Sequence, residues 1–204
     1  MRLVNLPVMG LLLLVLLQLA ACGSTPPARF YALSSLAGDG NSSSGSGARR
    51  VIGIGPLAMA EYLSYPGIVT RSGRNTLVRS EFNRWGAPLS DELSRVLVEN
   101  IQSILSDEKY LVLPWLETAT IDQRVQLNVT RFEATSDGVV VLNATWLLIG
   151  KERNTLLASG DATITEPVRG AGYEAIAEAM SRTLAELSRR IALEICRTAS
   201  TDVH

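Results

Sequence analysis

Arg124-Val125-Gln126-Leu127-Asn128-Val129-Thr130-Arg131-Phe132 opens a series of three alternating runs, continued by Val139 to Ile149 and Thr155 to Ile164. Alternation with a period of two sends successive side chains to opposite faces of a pleated strand, so each run reads as a half-buried β-strand. Asp137-Gly138 and the stretch from Gly150 through Asn154 separate the runs with turn residues, which makes the three a meander. Upstream, Ile68 to Arg71 and Thr76 to Arg79 flank Ser72-Gly73-Arg74-Asn75 as a second hairpin, with a short strand at Val51 to Ile54 before it. Arg29-Phe30-Tyr31-Ala32-Leu33 also has strand composition.

Two helices bracket the meander. After Pro88, residues Leu89, Leu93, Val96, Leu97, Ile101, Ile104 and Leu105 form one continuous apolar stripe at helical spacing. Tyr173, Ile176, Ala177, Met180, Leu184, Leu187, Ile191 and Ile195 repeat the pattern, while Glu178 with Arg182 and Glu186 with Arg190 are spaced as i,i+4 pairs on the wet side. Each stripe needs a sheet to cover. Strands and helices are segregated along the chain, which predicts an α+β fold: a mainly antiparallel sheet with both helices packed on one face.

The N-terminus carries an address. Arg2, the Leu-rich segment from Met9 to Leu19 and the small pair Ala20-Ala21 follow the order of a secretory signal, and Cys22 stands directly after the cut. A thiol placed there is the acceptor of a bacterial lipoprotein anchor, so residues 1–21 are expected to be removed and Cys22 to be acylated. The run is about 16 residues with Pro7 and Gln18 inside it, short of the roughly 20 that a spanning helix needs. Gly23, rather than Asp, after the Cys favours sorting to the periplasmic face of the outer membrane.

Of 19 Lys and Arg only Arg2 leaves with the signal, so 18 basic residues face 20 acidic ones, a formal charge of −2. No basic patch points to nucleic acid. Residues 22–50 read as a lipidated terminus with a Gly/Ser-rich linker at 39–47, residues 51–196 as one α+β domain and 197–204 as a flexible tail. With Cys22 acylated, Cys196 is either a buried apolar thiol, the favoured reading, or an intermolecular link.

Catalytic patterns fail on inspection. The single histidine is His204, the last residue, which removes His-based triads, metal sites and acid–base pairs. Ser106-Asp107-Glu108-Lys109 matches S-x-x-K with no S-D-N or K-T-G after it, and Gly53-Ile54-Gly55 lacks the helix and acidic residue of a dinucleotide fingerprint, so it reads as a strand exit. Asp91 and Glu92 point about 100° apart on a helix and read as exposed helix-end charge. No cofactor is expected. What remains is a group of aromatics and arginines off the helical stripes: Tyr62, Tyr65, Arg71, Arg79, Phe82, Arg84 and Trp85. Such residues either pack a core or anchor an interface, and Tyr62, Arg71, Arg84 and Trp85 are singled out as partner-binding candidates.

At these positions the chain resembles the ABC-type transport auxiliary lipoproteins, the PqiC-like family. The resemblance rests on Leu19 to Cys22, Phe30 to Leu33, Glu61 to Arg71, Glu81 to Leu89, Val129 to Phe132 and Asn143 to Trp146, and it extends over roughly Cys22 to Cys196. It implies a non-enzymatic subunit of an intermembrane lipid-transport system, working with a mammalian-cell-entry-domain protein that bridges the periplasm and with integral membrane transporter components, with a homo-oligomer also compatible. An envelope lipid carrier and, less favoured, a lipoprotein hydrolase are the alternatives.

Overall fold

A computed structural model describes residues 26–36, 49–105, 109–115 and 120–201 of the 204. Cys22, the linker at 39–47, Ser106 to Glu108 and His204 lie outside the described residues. Eight strands form one sheet: β1 (Arg29–Tyr31), β2 (Arg50–Met59), β3 (Gly67–Gly73), β4 (Thr76–Trp85), β5 (Tyr110–Pro114), β6 (Gln123–Thr135), β7 (Val139–Gly150) and β8 (Leu156–Pro167). Among the described residues two α-helices complete the fold, α1 (Leu89–Ile104) and α2 (Gly172–Thr201). The α+β fold expected from the sequence is the observed one.

The predicted meander is present as β6, β7 and β8, with long antiparallel ladders from Gln123 paired with Gly150 and from Val139 paired with Pro167. The chain's other half joins it in parallel, a pattern that alternation cannot reveal. On its free side β6 carries two different partners in line: β2 along Gln123 to Val129 and β3 along Ala134 and Thr135. Between them the backbone leaves the sheet in a 3₁₀ turn, Glu61–Ser64, after the Ala60 N–H donates to the Val129 carbonyl at 2.9 Å. The sheet therefore forks beyond β6. One branch is β2 then β5, the other is β3, β4 and β1.

Apolar stripes decide how the layers meet. Leu93, Val96, Leu97 and Ile101 of α1 are buried over β2 and β5, and Met180, Leu184, Leu187, Ile191 and Ile195 of α2 over β6, β7 and β8, in one core that includes Val125, Leu127, Val129, Leu142 and Leu148. Tertiary burial of such stripes, rather than intrinsic propensity, supplies most helical stability. α2 runs on to Thr201, past the expected boundary at Cys196, and Cys196 is exposed rather than buried because it sits beside, not on, the Ile191 and Ile195 stripe. Glu186 pairs with Arg190 at 3.0 Å as the spacing suggested, but Arg182 turns to Glu166 of β8 at 3.3 Å.

Glu92 corrects its sequence reading as well. Its carboxylate is buried and accepts the Leu33 N–H at 2.9 Å, while Arg95 donates both to Glu92 and to the Leu33 carbonyl. Further along, Ser34 N–H donates to Ser181 and Leu36 N–H to Asn100, and Asn100 donates to Ser188 between the helices. The chain after β1 is thus strapped across both helices. Its backbone groups are satisfied by buried polar side chains, which explains why those side chains sit where apolar ones would otherwise pack.

Strand β2 continues through Gly53, Gly55 and Pro56 to Met59 instead of ending at Ile54, with a register shift between Ile54 and Leu57. In β4 an irregularity at Ser80 to Asn83 brings the Ser80 carbonyl onto Gly67, where a Cβ would lie 2.0 Å from the oxygen. Only glycine fits there.

Candidate functional site

The sequence candidates divide once the chain is folded. Tyr62 comes from the 3₁₀ turn at the fork, Arg71 from β3, and both reach the same carboxylate, Glu133 of β6. Tyr62 Oη donates to Glu133 Oε2 at 2.6 Å, Arg71 Nε donates to Oε1 at 2.7 Å, and Arg131 Nε donates to the same Oε1 at 2.7 Å. Glu133 has no solvent exposure, whereas Arg71 and Arg131 remain about a quarter exposed over it. Arg84 is elsewhere, donating to the Glu81 carbonyl on its own strand. Trp85 is 5% exposed and belongs to the core, the packing alternative that the sequence left open for this group.

A bulge explains how a carboxylate comes to be buried on the face away from the helices. Val129 pairs with Ala144 and Arg131 with Asn143, so Thr130 is an extra residue in β6. One inserted residue exchanges the faces of everything after it. Phe132 and Ala134 thereby enter the core, and Arg131 and Glu133 turn to the opposite face. The signal was in the sequence, since Val129 and Phe132 are three apart and cannot share one face of a regular strand, but the predicted strand stopped at Phe132 and Glu133 was missed.

Electrostatics holds this group ionised. Burial by itself would raise the Glu133 carboxyl, but the hydrogen bonds from Tyr62, Arg71 and Arg131 together outweigh it and leave it below the usual carboxylate range. Burial and the Glu133 contact push the Tyr62 phenol up to about 12, so it remains a donor at physiological pH. The hydrogen bond to Glu133 raises Arg71 further. Next to the network is an open groove of about 430 Å³ lined by Arg71, Arg74 and Arg131 with Asn75, Ser136 and Asp137, at the tip of the β3–β4 hairpin.

Such a groove presents cationic donors on a fixed base and contains no assembled nucleophile and base. Among the described residues no His, Cys, Asp and Glu are grouped to hold a metal ion, and no helix is long and apolar enough to cross a membrane. Fold and site define a mixed-sheet α+β domain with an arginine-lined surface groove.

The family model for the ABC-type transport auxiliary lipoprotein component matches residues 31–192. The chain belongs to this family. It is 26% identical over 132 residues to the intermembrane transport lipoprotein PqiC of Escherichia coli, covering 65% of this chain and 69% of that protein, and equally similar to PqiC of Shigella flexneri. The fold is shared with a crystal structure of an uncharacterized protein, at TM-score 0.70 and 23% identity over 83% of this chain and 99% of that one. A protein from Xanthomonas campestris shares it at TM-score 0.67 and 17% identity, over 85% of this chain and 98% of that one. The chain is therefore an auxiliary lipoprotein component of ABC-type transport.

Proposed function

We propose that the chain is a non-enzymatic subunit of an intermembrane lipid-transport system, acylated at Cys22, seated on the periplasmic face of the outer membrane, and docking a mammalian-cell-entry-domain protein that spans the periplasm. The family match over residues 31–192 carries this reading. The Tyr62–Arg71–Arg131 network supports it, because arginine and tyrosine held on a buried carboxylate are ordered before a partner arrives, which reduces the entropy lost on docking. The groove at the hairpin tip is the docking surface, and acidic groups on the partner suit it.

Copurification of the membrane-anchored protein, with mass spectrometry of proteins and lipids, tests the assignment. A mammalian-cell-entry-domain protein is expected in the complex, and Arg74→Glu, at an exposed position in the groove, is expected to weaken its binding at least tenfold with an unchanged melting temperature. Recovery of bound lipid without a protein partner would favour the carrier reading instead. Cys22→Ala is expected to abolish incorporation of labelled palmitate and membrane attachment, since acyl chains are the anchor.

A further inference from the structure

We infer that the base of the β3–β4 hairpin, together with β1, is a membrane-contacting face that lies on the lipid surface holding the anchor. Phe30 is 66% exposed, the most exposed large apolar side chain among the described residues, and Tyr65 and Phe82 are 45% and 37% exposed. The register places them together. Phe30 pairs with Arg84, two residues along β4 from Phe82, and Trp85 donates its N–H to the carbonyl of Pro66, next to Tyr65. Arg79 lies over the Tyr65 ring, 4.2 Å from its centroid. Because Tyr31 and Trp85 are paired and Trp85 is in the core, Phe30 and Arg84 point away from the helices.

Chain length selects the occupant. Cys22 precedes Arg29 by seven residues, a reach of at most about 25 Å, and Arg29 is already fixed in the sheet by its pairing with Asn83. The strap from Leu33 to Leu36 is pinned to both helices, so the linker at 39–47 adds nothing to that tether. Whatever bilayer holds Cys22 therefore lies within reach of Phe30. Charge agrees: residues 26–36, 61–66 and 76–85 carry Arg29, Arg79 and Arg84 against Glu61 and Glu81, a net positive balance, whereas the chain from Cys22 onward is net acidic. Aromatic rings bordered by arginines suit the boundary between acyl chains and anionic headgroups, with rings in the apolar layer and guanidinium groups on phosphate.

This inference rests on acylation of Cys22, and the test separates the two. The acylated full-length protein carrying Cys196→Ser and Phe30→Cys is labelled with an environment-sensitive fluorophore and placed on vesicles of three parts phosphatidylethanolamine to one part phosphatidylglycerol containing doxyl-labelled lipid. A matching Leu193→Cys protein is the control, at an exposed position on α2. Quenching at position 30 is expected to exceed that at 193 at least twofold, and to fall by at least half when Arg79 and Arg84, the arginines beside Tyr65 and Phe30, are both replaced by Glu. Equal quenching at the two positions in protein that mass spectrometry shows to be acylated would overturn the membrane face while leaving the anchor standing; a face reserved for a protein partner would give that same result on bare vesicles. A Cys22 without acyl chains overturns both readings, and the mass records it directly.

Discussion

The two wings of the sheet on either side of β6 are built on different principles. In the β6–β8 meander alternate side chains enter a core sealed by α2: Val125, Leu127 and Val129 on β6, Val140, Leu142 and Leu148 on β7, Ala162 and Ile164 on β8. In β4, ten residues long, Trp85 alone is buried. The hairpin wing is held by its ladders, by Ile68 and Val69 at the start of β3, by Trp85 at the end of β4 and by the ion pair of Arg71 with Glu133, so most side chains of β4 answer to no packing constraint. Residues unconstrained by packing can be selected for contacts outside the molecule, and both surfaces proposed above lie on this wing.

A charge placed in each wing separates them most sharply. Leu184→Asp puts an unpaired carboxylate where the native side chain is fully buried, which is expected to cost several kcal/mol and to leave the domain unfolded or nearly so. Val78→Asp, on the exposed hairpin, is expected to stay within about 0.5 kcal/mol. Thermal unfolding of the two variants checks this, and similar losses would mean that the hairpin is packed against something the contrast ignores. Trp85→Ala comes next, with an expected cost of about 3–5 kcal/mol, since it removes the one side chain that ties β4 to the core. A lowered melting temperature with partner affinity retained in the folded fraction would agree with its role as packing.

The difference between the wings also explains what was legible in the sequence. Meander and helices announced themselves because burial on one face leaves a period in the residues, and Leu97 and Leu184 were identifiable as core without coordinates. β5, Tyr110–Pro114, was missed because a short, mostly apolar run carries no period, and β4 was predicted to end at Arg79 because its remaining residues bury nothing until Trp85. The parallel pairings of β1, β2, β3 and β5 depend on which distant strands meet, which local pattern does not encode. Among the site residues, Tyr62 and Arg71 were found by type alone, while their common partner Glu133 was hidden by the bulge at Thr130. Trp85 stayed undecided between core and interface for the converse reason, as aromatic residues serve both equally well.

Glu133→Gln probes the polar substitute for a core. Replacing the carboxylate by an amide keeps the shape and loses the charge that Arg71 and Arg131 share, with an expected cost of about 1–3 kcal/mol at neutral pH. Glu186→Gln, on the exposed face of α2, is expected to cost about 0–1 kcal/mol. The acid side supplies a second reading. Because the folded carboxyl titrates below its unfolded value of about 4.3, its contribution is complete above that pH and is lost as pH falls through the folded value. Denaturant unfolding from pH 6 down to pH 3 is expected to show a steeper loss in the parent protein than in Glu133→Gln, and parallel curves would show that the carboxylate is not held by its arginines.

The smallest expected effect belongs to Tyr62→Phe, and its pH dependence runs in the opposite direction. Removing the hydroxyl takes away one of three strong donors to Glu133 while the ring stays, so about 1 kcal/mol is expected at neutral pH. In the folded protein the phenol keeps its proton up to about 12, whereas in the unfolded chain it releases the proton near 10. A group with a raised folded value stabilises fully below the unfolded value and stops doing so as pH rises through the folded one. Between these values the unfolded state binds fewer protons at this site, so the parent protein loses stability as pH rises. The Phe variant lacks that proton and is expected to lose less over the same range, so the stability gap between the two proteins narrows from pH 9 to pH 12. A gap that stays constant would mean that Tyr62 titrates normally and that its hydrogen bond to Glu133 does not persist in solution, leaving Arg71 and Arg131 as the carboxylate's only side-chain donors and the fork of the sheet without its polar tie.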